Sequence, residues 1–140
     1  MKTISVVIPT YNEEKNIMAV YERVSGLFQK ELQNYEMQIL FIDNASLDNS
    51  RVLIEELCKK DNRGQAIFNA TNFGFSRSSF YGLSQAEGDC AVMLYADMQD
   101  PPEVIPQFVS TRFVRTVLLI PAESLAISSW VAPVNSKLVR

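Results

Sequence analysis

Asp97 and Gln99 are two oxygen-bearing residues two positions apart, in the stretch Ala96-Asp-Met-Gln-Asp-Pro-Pro-Glu103 that follows directly on an apolar run. Oxygen donors of this kind suit a hard cation such as Mg2+ or Mn2+, which keeps several waters and shares its remaining positions with substrate phosphates. Tyr11 adds an aromatic face for a flat ring, and Glu13 and Asp43 add acceptors for the hydrogen-bond donors of a base or ribose. Together these groups point to a nucleotide diphosphate held through a divalent cation. The usual glycine cradles are missing from the sequence, since neither G-x-G-x-x-G after the first apolar run nor G-x-x-x-x-G-K-[ST] occurs. A dinucleotide fold and a P-loop are therefore disfavoured.

Positioning these groups requires strands that end where the polar residues begin. Ile4 to Ile8 is a β-branched run closed by Pro9, and Met37 to Ile42 is apolar on both faces, as suits a central parallel strand. Gln65 to Phe68 reads as a brief third strand and Cys90 to Tyr95 as a fourth, with Ala96 to Asp100 a loop because Pro101 and Pro102 disfavour a helix there. Between them, Asn12 is the expected N-cap of a helix with Glu13 and Glu14 in its first turn, Ile17, Val20, Tyr21, Val24, Leu27 and Phe28 on one face, and an end near Lys30 to Gln33. Asp48 or Ser50 is expected to cap a second helix, and a third is expected from about Arg77 to Ala86 after the turn Asn72 to Ser76. This alternation predicts an α/β fold with a doubly wound, mostly parallel sheet. Strand ends at Pro9, Asp43 and Tyr95 then share one edge, and their loops face one crevice.

Composition narrows the partners. A chain of 140 residues, 47% hydrophobic, is one domain with a real core. A net charge of −3 without a basic cluster argues against nucleic acid. Cys58 and Cys90 lack metal spacing and the chain has no histidine, which argues against a zinc site. Both cysteines read as buried small hydrophobes in a reducing cytoplasm. The start of the chain reads as a first strand rather than a signal peptide.

Four segments in order, Val7-Ile-Pro-Thr-Tyr-Asn-Glu-Glu14, Asp43-Asn-Ala-Ser-Leu-Asp48, Asn72-Phe-Gly74 and Ala96-Asp-Met-Gln-Asp-Pro-Pro-Glu103, resemble the motifs of family 2 glycosyltransferases, and among them the polyprenyl-phosphate type typified by dolichol-phosphate mannose synthase. The resemblance runs from about Thr3 to Phe108 and implies a GT-A fold whose Rossmann-like nucleotide-binding half is residues 1–108. It implies that Pro9, Tyr11, Glu13 and Ala96 line the nucleotide slot, that Asp43 binds base or ribose, and that Asp97 and Gln99 hold the Mg2+ or Mn2+ anchoring a nucleotide diphosphate sugar. It also implies a lipid-phosphate or glycan acceptor, and with it a cytoplasmic location at the inner membrane face through peripheral contact.

The sequence departs from that pattern in three places. Tyr95 stands where the family's D-x-D motif has its first acid, and Asn44 where it has the second of an Asp pair. Residues 109–140 lack the acceptor-binding motifs, so the acceptor half is expected to be missing or altered by truncation or a frame shift, and the catalytic base stays unassigned. Asp100 and Glu103 fit a turn and a first helical turn better than that role. Phe113 to Ile120 is a candidate strand. From Val117 to Val134 only Glu123 is charged, but Pro121 and Pro133 interrupt the run, so a surface-packed or poorly ordered tail is expected over a membrane-inserted segment. Apolar surface left open by a missing half invites a partner, a second copy of the chain included. A non-catalytic nucleotide-sugar-binding fragment or assembly subunit is the alternative reading. A signalling receiver domain is disfavoured because no acidic pair follows the first strand.

Overall fold

The computed structural model describes residues 1–111, 120–121 and 136–139. Four parallel strands, β1 (Lys2–Thr10), β2 (Tyr35–Asp43), β3 (Gly64–Asn69) and β4 (Cys90–Met93), form the centre of a sheet. Short antiparallel strands β5 (Ile120–Pro121) and β6 (Ser136–Val139) add to its edges, giving the order β5-β4-β1-β2-β3-β6. The helices are α1 (Ile17–Lys30), α2 (Ser50–Lys60), α3 (Phe75–Ser84) and α4 (Ile105–Thr111), the last preceded by a 3-10 turn at Pro102–Val104. The doubly wound, mostly parallel architecture expected from the sequence is the one observed.

Alternation along the strands builds a core on each face. Ile4, Val6 and Ile8 of β1 join Ile39 and Phe41 of β2 in a cluster with Ile17, Val20 and Val24 of α1 and Ile54 and Leu57 of α2. Val7, Leu40, Ile42 and Ile67 face the other way and pack on Leu83 of α3. That second contact is close, because a Cβ on Gly82 would meet Ile42 Cγ2 at 2.9 Å and Val7 Cγ1 at 3.1 Å. Cys58 is buried in the first cluster and Cys90 half-buried against it. Burial pushes the Cys58 thiol up to about 11, with the nearby Asp61 charge adding to the effect.

Several boundaries differ from the sequence expectation, each for a physical reason. β4 stops at Met93 rather than Tyr95. The amide of Leu94 donates to the Val7 carbonyl at 2.9 Å, and the next bond of a parallel ladder would need an N–H from Pro9, which has none. The chain therefore leaves β1 at this point and opens a gap over the sheet edge.

Asn12 is not the cap of α1. The helix starts at Ile17 behind Asn16, which makes no side-chain cap, and no acid lies in its first turn. Asn12 instead adopts φ 56°, donates its amide to Ser46 Oγ at 2.9 Å and accepts from the Leu47 amide through Oδ1 at 2.8 Å. Glu14 accepts from the Asn49 amide at 3.0 Å and from Asn49 Nδ2 at 2.9 Å. A local cap has given way to a tie between two loops far apart in sequence.

Asp48 works in the same joint. Its Oδ2 accepts from the Glu14 amide at 3.1 Å and its Oδ1 from the Ser50 amide at 2.9 Å, while Asn49 holds the N-cap position of α2 without a side-chain cap. Burial alone would raise the Asp48 carboxyl, but the Ser50 hydroxyl and the amides of Ser50 and Glu14 outweigh it and hold it below its ordinary value. α3 begins at Phe75, two residues before the expected Arg77, because Gly74 at φ 83° supplies a turn there. It ends at Ser84 rather than Ala86.

The candidate strand 113–120 and the apolar run 117–134 fall outside the described residues except where Ile120 and Pro121 form β5. Among the described residues no helix is long and apolar enough to cross a membrane.

Candidate functional site

The gap opened by Pro9 is the floor of a cavity of about 310 Å³, at the size expected for a small-ligand pocket. Pro9 and Thr10 at the end of β1, Asn44 just after β2, and Ala96 after β4 line it, so three loops do meet over one sheet edge. Parallel register brings this about: Thr10 pairs with Asp43, and Asp43 with Phe68, so the carboxyl ends of the strands lie level.

Two walls rise from that floor. The loop leading to α1 contributes Tyr11 and Glu13, Tyr11 being 44% exposed. The Glu13 amide donates to Ser50 Oγ at 2.8 Å and Glu13 Oε2 accepts from Asn16 Nδ2 at 2.6 Å, so both its backbone and its carboxylate are oriented. The start of α3 contributes Phe75 and Ser78, preceded by Asn72. Tyr95 and Asp97, from the segment after β4, complete the lining.

Of the residues expected from the sequence, Pro9, Tyr11, Glu13, Ala96 and Asp97 line this cavity. Asp43 and Gln99 are not among its lining residues. Asp43 is 2% exposed beneath the second loop, where Oδ2 accepts from the Ser46 amide at 3.2 Å. Its Oδ1 is buried with no hydrogen-bond partner among the described residues, a costly state for a carboxylate oxygen unless something else supplies a donor. Gln99 is exposed, and its amide donates to Asp97 Oδ1 at 3.2 Å.

The lining includes residues that sequence reasoning did not select. Asn72 was read as part of a structural turn. It is that, accepting from the Gly74 amide through Oδ1 at 2.8 Å, and it also lines the cavity. Asn44 Nδ2 donates to the same Asn72 Oδ1 at 2.8 Å, and Asn44 Oδ1 accepts from Asn69 Nδ2 at 3.1 Å and from the Phe73 amide at 3.0 Å. Asn69 Nδ2 reaches Ser78 Oγ at 3.0 Å. The recurrence of asparagine after two successive strands was the available signal for this network.

The charge of the site is one-sided. Glu13 and Asp97 are the ionisable acids of the lining, and among the described residues no lysine or arginine joins them. A diphosphate entering here meets carboxylates, so it needs a cation of its own. The donor set fits one arriving in that way. Asp97 is exposed at the cavity with Oδ1 engaged by its turn, and among the described residues no group of three or more His, Cys, Asp or Glu forms a closed metal cage. A hard cation bound by one carboxylate, waters and phosphate oxygens is compatible with this arrangement.

Comparison with known proteins accords with this geometry. The family model described as Glycosyl transferase family 2 matches residues 5–111. The undecaprenyl-phosphate 4-deoxy-4-formamido-L-arabinose transferase of Proteus mirabilis is 39% identical over 109 residues, which cover 77% of this chain and 33% of that protein. The chain thus spans about a third of the length of this curated relative. Among solved structures, S. aureus TarS 1-349 in complex with UDP-GlcNAc is 28% identical, with a TM-score of 0.58 over 69% of this chain and 27% of that one. A mannosyltransferase from Pyrobaculum calidifontis, in complex with GDP-Man and Mn2+, shares the fold at 17% identity, with a TM-score of 0.63 over 76% of this chain and 31% of that one.

Proposed function

This chain belongs to glycosyl transferase family 2, and on that premise we propose that its cavity holds the nucleoside diphosphate of an activated sugar destined for a polyprenyl phosphate acceptor. The observation that carries the reading is the cavity itself. It lies at the end of β1 and joins an aromatic face, Tyr11, to an acidic lining with no basic side chain among the described residues. Such a surface favours a nucleoside and admits a diphosphate only with a divalent cation.

Within this reading Tyr11 stacks on the base and Glu13 accepts from ribose hydroxyls. Asp43, behind the lining, shapes the base end of the slot by holding the second loop through the Ser46 amide. Pro9 and Ala96 form the floor beneath the nucleoside. Asp97, with Gln99 beside it, holds Mg2+ or Mn2+ against the diphosphate. When bound, that cation stabilises the charge that gathers on the leaving diphosphate. The relative named for an undecaprenyl-phosphate substrate supports a lipid-phosphate acceptor, and with it action at the cytoplasmic face of a membrane.

Residues 1–108 form the donor-binding unit in this proposal, with the edge strands β5 and β6 adding to its sheet. Neither Asp100 nor Glu103 lines the cavity, and the Glu103 carboxylate is engaged by Arg23 at 2.5 Å. The described residues therefore offer no group placed to deprotonate an acceptor beyond Glu13 and Asp97. This favours, as a second reading, a nucleotide-sugar-binding unit that binds donor without robust turnover by these 140 residues.

A panel of nucleoside diphosphate sugars titrated calorimetrically with and without Mn2+ tests both readings. Cation-dependent binding of one donor is expected, and Asp97→Ala should remove the cation-dependent part. Unchanged affinity in that variant would discard the cation assignment, and rapid sugar transfer by the purified chain would discard the second reading.

A further inference from the structure

The segment carrying Asp97 and Gln99 is not held by the sheet, because the β1–β4 ladder ends before it. Its own bonds are few. The Met98 amide donates to the Tyr95 carbonyl at 3.1 Å, and the Gln99 amide to Asp97 Oδ1 at 3.2 Å. Met98 lies at φ 56°, a left-handed conformation that an unbranched apolar residue gains nothing from adopting. Something outside the loop must keep it there.

Arg23 of α1 reaches that segment at both ends. Its Nη1 contacts Met98 Sδ at 3.2 Å. Its Nε donates to Glu103 Oε1 at 3.0 Å and its Nη2 to Glu103 Oε2 at 2.5 Å, a two-pronged contact onto the 3-10 turn. The guanidinium thus spans the loop from the residue after Asp97 to the first turn of the next element, while the Met98 side chain packs against the α1 side of the core.

The side chains of Arg23 and Glu103 are 39% and 50% exposed. An ion pair that open adds little to the stability of the fold. What a bidentate fork does supply is direction, since its planar geometry fixes the partner's orientation as well as its distance. We infer that Arg23 is a positioning residue for the donor site: through Met98 and Glu103 it holds the Asp97 loop in the one shape that presents the carboxylate to a cation-bound diphosphate. This rests on the reading of the cavity given above, and it assigns a role to a residue 74 positions from Asp97 that is not itself part of the cavity lining.

The test uses the full chain and the variants Arg23→Gln, Arg23→Lys and Glu103→Gln. UDP and GDP are titrated with and without Mn2+, uridine and guanosine are titrated alone, and amide exchange is followed at Met98 and Gln99 in the ligand-free protein. The glutamine variants should each weaken Mn2+-dependent diphosphate binding by up to about fivefold, the range of a lost exposed charged contact. Nucleoside affinity and thermal midpoint should stay put, and exchange at Met98 and Gln99 should quicken. Arg23→Lys keeps the charge but lacks the fork, so it should resemble Arg23→Gln. Exchange and cation-dependent affinity both unchanged would overturn the assignment. So would a uniform loss of nucleoside affinity and melting temperature, which marks a merely structural role. Wild-type protein that binds neither diphosphate with Mn2+ defeats the reading of the cavity instead, and the exchange rates at Met98 and Gln99 then still decide whether Arg23 holds the loop.

Discussion

The rings of Phe75 and Tyr95 lie 5.5 Å apart between centroids at an interplanar angle of 37°, one from the start of α3 and the other from the segment after β4. Both line the cavity, and Phe75 is 54% exposed. Tyr95 stands where the family pattern carries an acid, so at this position the chain has a ring contact between two elements in place of a second carboxylate beside Asp97.

Tyr95→Asp should reverse that exchange. Mn2+-dependent binding of a nucleoside diphosphate is expected to tighten on the order of tenfold, the effect of about 1.4 kcal/mol. The lost ring pair should cost about 0.5–1.5 kcal/mol of stability. Calorimetry and urea unfolding read the two effects separately. Weaker cation-dependent binding in the variant would contradict the placement of Tyr95 beside the cation.

The asparagine network is the joint between the second loop and α3. Asn44→Ala strands the Phe73 amide and takes from Asn69 Nδ2 one of its two acceptors, leaving it Ser78 Oγ. Unpaired groups of this kind cost about 1–3 kcal/mol each where buried. A shift of the urea midpoint below what a surface substitution gives would show the network to be solvated rather than structural.

Gly82 permits the close approach of α3 to the sheet. Helix propensity alone favours alanine there by about 1 kcal/mol, but a Cβ would meet Ile42 Cγ2 at 2.9 Å and Val7 Cγ1 at 3.1 Å. Overpacking of this kind costs about 1–3 kcal/mol, so Gly82→Ala should destabilise the protein on balance. A stabilised variant would mean that α3 moves away from the sheet easily.

Acid should remove a definable part of the stability. Arg63 beside Asp61, Nη2 to Oδ2 at 2.6 Å, holds the Asp61 carboxyl well below the usual carboxylate range, and the Tyr21 hydroxyl donates to it as well. A carboxyl depressed on folding stabilises the folded state fully above its unfolded value of about 3.9 and progressively less as pH falls toward its folded one. The stability difference between wild type and Asp61→Asn should therefore be largest near neutral pH and shrink as pH drops from about 5 to about 2. A difference independent of pH across that range would separate Asp61 from the acid response.

Asn12 and Pro9 mark the division between what could be read from the chain and what could not. The strand-forming runs, the helix faces and the gathering of strand ends at Pro9, Asp43 and the segment after β4 were legible because hydrophobic period and proline stereochemistry act within a few residues. That local information sufficed for the α/β fold and for bringing Tyr11, Glu13 and Asp97 to one cavity. Pro9 even carried the reason for the shortened β4, although only its pairing with β4 made that reason visible.

Tertiary structure decided the choices among local alternatives of nearly equal energy. An asparagine before a helix caps it in isolation, for a gain of about 1 kcal/mol, yet Asn12 bonds Ser46 and Leu47 instead. Asp43 turns under its loop rather than into the cavity lining, Tyr95 leaves the strand to join a wall, and Arg23 finds Glu103 across 80 residues. Each outcome depends on which distant group arrives within about 3 Å, and spacing along a chain does not encode that distance.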